Sequence, residues 1–210
     1  MTKTRSDGVN PLSSKAAAKP VKPVHRGKGE VRIIGGQWRR TLLPVADLPG
    51  LRPTPDRVRE TLFNWLGQEL TGWHCVDAFA GCGGLGFEAA SRGAARVLAV
   101  EQQPTLVRQL QLLKDRLQAS TVSIERGDGL SVLRRQAPAS LDAVFLDPPF
   151  DSDLYEAALQ AASAAVRPGA FVYLEAPRVW EDEALEGYQL RVYRYLKAGA
   201  VHAHLLQRAA

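Results

Sequence analysis

Four consecutive residues, Asp147, Pro148, Pro149 and Phe150, place an acid, two prolines and an aromatic ring directly after an apolar run. The run, residues 141–146, is typical of a buried strand, and open α/β sheets bind ligands where such strands end. An amine on a base ring has its lone pair delocalised into that ring. Hydrogen bonds from both N–H groups to Asp147 and to a proline carbonyl would help to localise the lone pair. Phe150 would add a stacking face, worth about 1–3 kcal/mol in nucleic-acid complexes. The motif therefore predicts methylation of a planar amine, and its plainer alternative is a capping acid followed by a Pro-Pro turn.

A glycine-rich loop lies upstream of this motif, between a predicted strand and a predicted helix. Gly81, Gly83 and Gly86 fit the pattern G-x-G-x-x-G, which on its own suits a dinucleotide enzyme equally well. The next predicted strand ends in Glu101, whose carboxylate could accept hydrogen bonds from both hydroxyls of a ribose. Because either cofactor contains that ribose, the loop alone leaves a methyltransferase and a dehydrogenase open.

The order of the remaining motifs favours the methyltransferase. Asp77 precedes the glycine loop, the turn Gly127-Asp128-Gly129 follows a third predicted strand, and Asp-Pro-Pro-Phe follows a fourth. A dehydrogenase has no need of the last motif. In this interpretation the glycine loop approaches the methionine moiety of S-adenosylmethionine, Glu101 holds the ribose and Asp128 accepts from the adenine amine. The alternative is that Asp77 and Asp128 only cap loops.

Three N-terminal segments carry a more specific resemblance. Residues 32–39 (RIIGGQWR), 50–54 (GLRPT) and 56–66 (DRVRETLFNWL) resemble the RsmD family of bacterial 16S ribosomal RNA guanine-N2 methyltransferases. The similarity runs from about Val31 to the C-terminus. It implies S-adenosylmethionine as methyl donor, a Rossmann-like class I methyltransferase fold, and one guanine of the small subunit as target, presented in an assembled or nearly assembled particle.

The resemblance also implies roles for individual residues. The loop from Asp77 to Gly86, Glu101 and Asp128 would bind the cofactor, while Asp147 to Phe150 would grip the guanine. Two departures are a cysteine, Cys82, where the family often has serine, and a longer, more basic tail; neither puts the reaction in doubt. The cofactor-binding candidates are Asp77, Phe79, Gly81, Gly83, Gly86, Glu101, Asp128 and Asp147, and the catalytic candidates are Asp147, Pro148 and Phe150.

Charge divides the chain of 210 residues into a tail and a core. Residues 1–29 hold seven lysines and arginines against one aspartate, a net charge of +6; the whole chain carries +5, so the remainder carries −1. Such a tail is expected to be disordered, and it either binds ribosomal RNA phosphates or is a solvated leader. It lacks the apolar centre of a secretory signal, and no apolar run approaches the ~20 residues of a membrane helix.

An extension over residues 30–70 is expected to precede the main domain. Two short apolar stretches around Gly35-Gly36 predict a hairpin, and Thr54 is the expected N-cap of a helix that begins at Pro55 and buries Val58 and Leu62. Residues 30–59 hold six arginines. They favour RNA contact, although a solvated hairpin with Trp38 packed inward is the alternative. The RNA-contacting candidates are Arg32, Trp38, Arg39, Arg40, Arg52, Pro149 and Phe150. The family resemblance suggests that the helix and the loop before it close over the cofactor.

Residues 71–210 alternate between predicted strands and helices, which is typical of a doubly wound, mostly parallel α/β sheet. Two final strands without a helix between them predict a terminal antiparallel pair. Cys75 and Cys82 offer neither a metal pair nor a disulfide framework, and the histidines form no metal-spaced cluster, so no metal is assigned. His202 and His204 are expected at the surface. The composition fits a reducing cytoplasm and, we expect, a monomer that binds 16S ribosomal RNA.

Two other functions remain open from the sequence. Asp-Pro-Pro with an aromatic residue recognises an amine edge and not a particular base, so a DNA adenine methyltransferase or another amine methyltransferase fits the same motif. A non-catalytic ribosome-assembly factor could also keep the cofactor fold, although every polar residue of the expected site is present.

Overall fold

The computed structural model describes residue 1 and residues 29–48 and 53–210. The basic tail expected over residues 1–29 therefore lies outside the described residues except at its two ends, as does the RNA-contacting candidate Arg52. No helix in the described part is long and apolar enough to cross a membrane.

A two-stranded hairpin opens the described chain, as the sequence predicts. Strands β1 (Gly29–Arg32) and β2 (Leu42–Val45) pair antiparallel. The first helix, α1 (Asp56–Trp65), follows.

The remaining strands form one sheet of seven. They are β3 (His74–Asp77), β4 (Arg96–Glu101), β5 (Val122–Arg126), β6 (Leu141–Leu146), β7 (Val166–Ala176), β8 (Leu190–Ala198) and β9 (Val201–Arg208). Their order across the sheet is β5-β4-β3-β6-β7-β9-β8. Strands β3 to β7 run parallel, whereas β9 pairs antiparallel with both β7 and β8. The predicted doubly wound sheet with a terminal antiparallel pair is confirmed.

Helices connect the parallel strands. They are α2 (Gly84–Ser91), α3 (Pro104–Leu117), α4 (Gly129–Arg134), α5 (Tyr155–Ala165) and the short α6 (Asp182–Leu185), which a 3₁₀ turn (Glu186–Tyr188) extends. Parallel strands need such crossovers because each must return to the same edge of the sheet before the next begins.

The two faces of the sheet bury two separate apolar clusters. Val76, Val144 and Val172 are in register across three neighbouring strands and belong to one cluster. On the opposite face Cys75 and Ala143 lie in register and belong to the other, which also takes in the hairpin and α1. Every residue of β6 is buried, as the continuous apolar run predicts for a central parallel strand.

The hairpin is fastened to the C-terminal half of α2. The fully buried Glu88 carboxylate accepts hydrogen bonds from the backbone N–H groups of Ile34 (2.7 Å) and Gly35 (2.8 Å). Ser91 Oγ accepts from the N–H of Trp38 at 2.9 Å. Gly36 has φ +72°, and a Cβ there would lie 1.8 Å from the Ser91 carbonyl oxygen. Only glycine fits this contact without displacement of the backbone.

The expected start of α1 is wrong in detail. Pro55 is the N-cap, with no side-chain capping bond, and the helix begins at Asp56. The Thr54 hydroxyl instead lies near Glu175 at the end of β7, where it lowers the pKa of that carboxyl. The hydroxyl that local sequence assigns to the helix cap thus lies beside a residue that is distant in sequence. The helix also buries Arg59 and Phe63 together with Val58 and Leu62.

The expected surface position of His204 is also wrong. Its side chain is fully buried, and Nε2 accepts a hydrogen bond from the N–H of Trp180 at 3.1 Å. The reason is topological: β9 lies between β7 and β8 and is not an edge strand.

Candidate active site

Four acidic residues gather where the parallel strands end. Asp77 ends β3, Glu101 ends β4, Asp147 follows β6, and Glu175 lies one residue before the end of β7. Because these strands are parallel and adjacent in the order β4-β3-β6-β7, all four lie along one edge. This is the edge at which open α/β sheets bind ligands.

Asp77 fastens the glycine loop from within. Its side chain is 1% exposed, and Oδ2 accepts a hydrogen bond from the N–H of Gly86 at 2.8 Å. A Cβ on Gly86 would lie 3.0 Å from that oxygen, so the third glycine allows the helix to approach the acid. Gly83 has φ +86° and is the N-cap of α2. Phe79, within the loop, is partly buried against one core cluster.

Glu101 joins the loop to the next strand. Oε2 accepts from the N–H of Gly81 at 2.9 Å, and Oε1 accepts from the N–H of Gln103 at 2.8 Å. An ionised carboxylate has about four acceptor positions, so each oxygen keeps one for a further donor. The arrangement fits the two hydroxyls of a ribose, and it fixes the carboxylate before any ligand binds.

Asp128 caps α4, as the plainer interpretation holds. Oδ2 accepts from the N–H and the hydroxyl of Ser131, at 2.8 and 2.7 Å. These bonds lower the pKa of Asp128. Its other oxygen, Oδ1, has only a 3.2 Å contact with Gln102 Nε2, which leaves this atom as the candidate acceptor for an adenine amine. Gly129 is required by the loop itself, because a Cβ there would lie 2.1 Å from the Ala78 carbonyl oxygen.

The acceptor motif presents two polar atoms and one ring. Asp147 is half-buried, and no donor within the described residues hydrogen-bonds to its carboxylate. The Pro149 carbonyl accepts from both the N–H and the hydroxyl of Ser152, at 3.1 and 2.6 Å. The Pro148 carbonyl has no such partner within the same residues. Phe150 is 37% exposed. A planar amine could therefore donate to Asp147 and Pro148 while its ring lies on Phe150.

Burial makes ionisation of the edge acids costly. Burial raises the pKa of Asp77 to about 7, and the nearby charge of Glu101 adds to this rise. Burial raises the pKa of Asp147 well above its usual range, with further contributions from Glu175 and Asp77. Perturbed carboxyl groups of this kind cluster at functional sites.

Sequence reasoning missed Glu175 and its partners. Glu175 is 3% exposed and accepts a hydrogen bond from the Tyr173 hydroxyl at 2.9 Å. Thr54 and the fully buried Arg59 also lie close to it. One signal was available: an acid at the end of an apolar strand, in the strand after the acceptor motif, repeats the position of Asp147.

The RNA-contacting candidates of the hairpin differ in position. Arg32, Arg39 and Arg40 are exposed. Trp38 is half-buried, and its ring lies against Phe87 with the centroids 6.4 Å apart. Its packing limits the area that it could offer to a base.

The cysteines are free thiols inside the core. Both Cys75 and Cys82 are buried. Within the described residues no three His, Cys, Asp or Glu side chains are placed to share a metal ion. Burial raises the pKa of the Cys82 thiol to about 11, so this loop cysteine is not a reactive thiolate.

Comparison with known proteins gives the family. The family described as "Conserved hypothetical protein 95" matches residues 31–207. The chain is 39% identical to ribosomal RNA small subunit methyltransferase D of Escherichia coli over 191 residues, which are 90% of this chain and 96% of that protein. It is 45% identical to the protein of the same name from Haemophilus influenzae over 156 residues, 70% and 79% of the two chains.

Solved structures agree with this assignment. A methyltransferase structure from Escherichia coli superposes with a TM-score of 0.72 at 36% identity, covering 87% of this chain and 99% of that one. A methylase structure from Haemophilus influenzae gives 0.71 at 34% identity, covering 87% and 100%. The chain thus belongs to the conserved hypothetical protein 95 family, the RsmD family, and is an S-adenosylmethionine-dependent methyltransferase.

Proposed function

We propose that this protein transfers a methyl group to the exocyclic N2 amine of one guanine in the 16S ribosomal RNA of the small subunit. The acceptor motif is the observation that carries the proposal. Within the described residues, the Asp147 carboxylate and the Pro148 carbonyl have no hydrogen-bond partner, and they lie next to the exposed Phe150. The motif lies at the same edge of the sheet as Glu101. The names of the relatives, which specify small-subunit ribosomal RNA, support the choice of substrate.

The cofactor site uses residues whose geometry fits S-adenosylmethionine. When bound, this cofactor supplies an electrophilic methyl group on a positively charged sulfur. Glu101 would accept from both ribose hydroxyls, and Asp128 Oδ1 would accept from the adenine amine. The glycine loop, held by Asp77, would approach the methionine moiety.

The target amine is held by acceptors, not by a strong base. Asp147 and the Pro148 carbonyl would take its two N–H groups, and Phe150 would stack on the guanine. A base inside a helix cannot reach this edge, so the guanine must leave its stack. Positioning provides most of the rate enhancement, because the amine nitrogen is held in line with the methyl group that it attacks.

The N-terminal extension would meet the RNA. Exposed arginines at positions 32, 39 and 40 suit phosphate oxygens, and Arg52, outside the described residues, belongs to the same proposal. In this scheme residues 30–70 contact RNA and residues 71–210 carry the reaction. The substrate would be the small subunit or a late assembly intermediate, bound by a monomer in the cytoplasm.

A labelled-methyl assay tests the proposal. The protein is given labelled S-adenosylmethionine with unmethylated small subunits, naked 16S RNA or DNA in parallel, and the products are digested to nucleosides. N2-methylguanosine from small subunits is the expected product. Methyladenine in DNA would instead make the protein a DNA methyltransferase. Binding to small subunits without any transfer would make it an assembly factor.

A further inference from the structure

Two carboxyl groups lie side by side at the acceptor edge. The register of β6 and β7 pairs Phe145 with Tyr173 and Leu146 with Leu174, which brings Asp147, the residue after β6, close to Glu175 in β7. The charge of Glu175 raises the pKa of Asp147, as this proximity requires. Side chains alternate along a strand, which puts Glu175 on the same face as Tyr173 and its partner Phe145. Helix α1 packs on this face, where the Phe63 and Phe145 rings are 6.0 Å apart.

Burial is the largest influence on Glu175 and raises its pKa, but three polar neighbours favour its ionised form. The carboxylate is 3% exposed and accepts a hydrogen bond from the Tyr173 hydroxyl at 2.9 Å. Thr54 provides a second hydroxyl, and Arg59 provides a buried positive charge. The ion pairs of Arg59 are with Asp56 (2.6 Å) and Glu88 (3.6 Å), so it acts on Glu175 through its charge and not through a direct contact. Burial raises the pKa of Glu175, but these three groups each oppose that rise.

Asp147 has the opposite surroundings. No donor within the described residues reaches its carboxylate, and the charges of Glu175 from β7 and Asp77 from β3 both raise its pKa, in addition to burial. The other titratable groups that face it are the hydroxyls of Tyr155 on α5 and Tyr173 on β7. Two neighbouring carboxyls with opposed environments are suited to different roles in one reaction.

We propose that Glu175 is a positioning residue of the transfer reaction: with its carboxylate bound by the Tyr173 hydroxyl, it makes Asp147 the acceptor of the proton that the target amine releases. This inference rests on the proposed function, since it takes Asp147 as the group that holds the amine. In the reaction the nitrogen lone pair forms the N–C bond, and the electron pair of the S–C bond stays on sulfur. The positively charged nitrogen then gives one proton to Asp147, which becomes a neutral carboxylic acid. The fixed charge of Glu175 stabilises that neutral acid.

The variant Glu175→Gln tests the role because it removes the charge and keeps the shape and one acceptor oxygen for the Tyr173 hydroxyl. The measured quantity is the single-turnover rate of methyl transfer to unmethylated small subunits as a function of pH. In the wild type we expect the rate to fall at acid pH as Asp147 becomes protonated. Without the neighbouring charge the midpoint of this fall should move to lower pH by about one unit. Glu183→Gln, which removes an exposed charge on α6, should leave the midpoint in place.

A second variant guards against misfolding. Tyr173→Phe removes one donor to Glu175, so it should move the midpoint in the same direction by a smaller amount. A midpoint in Glu175→Gln equal to that of Glu183→Gln would overturn the inference. So would a shift to higher pH, because a loss of neighbouring negative charge cannot make Asp147 harder to ionise.

A measurement on the free protein separates this inference from the proposed function. Infrared spectra follow the carboxylic acid C=O band during a pH titration, and Asp147→Asn identifies the contribution of Asp147. In Glu175→Gln that contribution should titrate at lower pH, also by about one unit. If wild-type protein transfers no methyl group but this shift occurs, the proposed function fails and the coupling of the two carboxyls stands. No shift in the infrared titration would overturn the coupling itself.

Discussion

Asp147 is partly buried and has no hydrogen-bond donor within the described residues. This arrangement costs free energy unless a ligand provides the donor. A half-buried carboxylate without a hydrogen bond loses hydration and gains nothing in return. Two N–H groups of an amine would correct the imbalance. The free protein is thus less stable than it would be with a donor at this position, and a ligand that provides the donor binds more tightly.

We expect Asp147→Ala to lower turnover by on the order of 100-fold, because it removes the carboxylate that stabilises the positive charge developing on the amine nitrogen. Affinity for S-adenosylmethionine should stay within several-fold, since Glu101 and the glycine loop are unchanged. Single-turnover methyl transfer and calorimetric titration measure the two effects. Asp151→Ala removes an exposed acid nearby as the control. Wild-type turnover in a folded Asp147→Ala protein would remove Asp147 from the catalytic assignment.

Glu101→Ala should weaken S-adenosylmethionine binding by at least about tenfold. It removes charge-assisted hydrogen bonds to two hydroxyls, each worth about 1.5–3 kcal/mol, and it also releases the Gly81 N–H. Calorimetry measures the change, with Glu156→Ala on the exposed first turn of α5 as the control. Equal affinity in both variants would exclude Glu101 from the cofactor site. Tight binding of NAD by the wild type would contradict the cofactor assignment itself.

At the scale of single residues, the sequence reveals acids that follow recognisable motifs. Asp147 stands in Asp-Pro-Pro-Phe and Asp77 precedes a glycine loop, so their positions at a strand end are predictable. Glu175 has no local motif, and its importance comes from the register that places it beside Asp147. Arg59 is even less visible, because an arginine in a helix of mixed polarity gives no sign that its side chain is fully buried.

The Gly35-Gly36 turn packs closely against α2 and is one of the contacts that fasten the hairpin. Gly36→Ala would place a methyl group 1.8 Å from the Ser91 carbonyl oxygen, in a backbone conformation that alanine disfavours. We expect the hairpin to detach or shift, with faster hydrogen exchange over residues 31–45 and weaker binding to small subunits. Cofactor affinity should change little, because the glycine loop lies at the other end of α2.

Gly199→Ala provides a matched control for that prediction. Gly199 also has a positive φ, +62°, but nothing lies within 4 Å of the position that its Cβ would occupy. The control measures the cost of the backbone conformation alone. If both variants show the same exchange over residues 31–45, the contact with Ser91 does not hold the hairpin.

Strand β9 contains a buried histidine, His204, whose contribution to the stability of the fold depends on pH. Burial lowers the pKa of His204 to about 4, against 6.5 for an ordinary histidine. Between these values the unfolded chain binds a proton here that the folded chain does not, so falling pH costs up to about 3 kcal/mol of stability. His204→Gln should remove this dependence. Asp77, with its raised pKa, has the opposite dependence in both proteins, so the difference between them isolates the histidine.

Urea unfolding at several pH values between about 7 and 4 measures this difference. The exposed His74 provides a control, as His74→Gln removes an imidazole that is in water in both states. Parallel stability curves for wild type and His204→Gln would contradict the prediction.

At the scale of elements, periodicity predicts types better than ends. The sequence predicts a helix over residues 104–118, and α3 spans Pro104–Leu117. The start of α1 is less predictable, because the Thr54 hydroxyl lies near Glu175, which is distant in sequence, and does not cap its own helix. Local capping preferences cannot include such a partner. The depth of His204 is missed for a related reason, since strand order across the sheet is not a local property.

At the scale of the whole molecule, alternating strands and helices leave few topologies. Because strands β3 to β7 are parallel, their carboxyl ends lie on one edge of the sheet. The acids Asp77, Glu101 and Asp147 therefore converge although up to 70 residues separate them along the chain. Net charge is also distributed unevenly between the tail and the rest of the chain. The core and extension carry −1, while residues 1–28 hold all seven basic residues of the tail. Affinity for RNA and catalysis could then be altered independently.

Deletion of residues 1–28 tests that independence, and it keeps Gly29, the first residue of β1. The truncated protein should keep its melting temperature and its affinity for S-adenosylmethionine, because no residue of the described core or site is removed. Its affinity for small subunits should fall at low salt. If the tail displaces counterions, the dependence of log affinity on log salt should flatten by about 0.7–0.9 for each phosphate contact that is lost, and the two proteins should converge at high salt. A full-length variant with the seven basic residues replaced by serine separates charge from length and should match the truncation. Superimposable salt curves for wild type and truncation would mean that the tail is a solvated leader and that the exposed arginines of the hairpin carry the RNA contact.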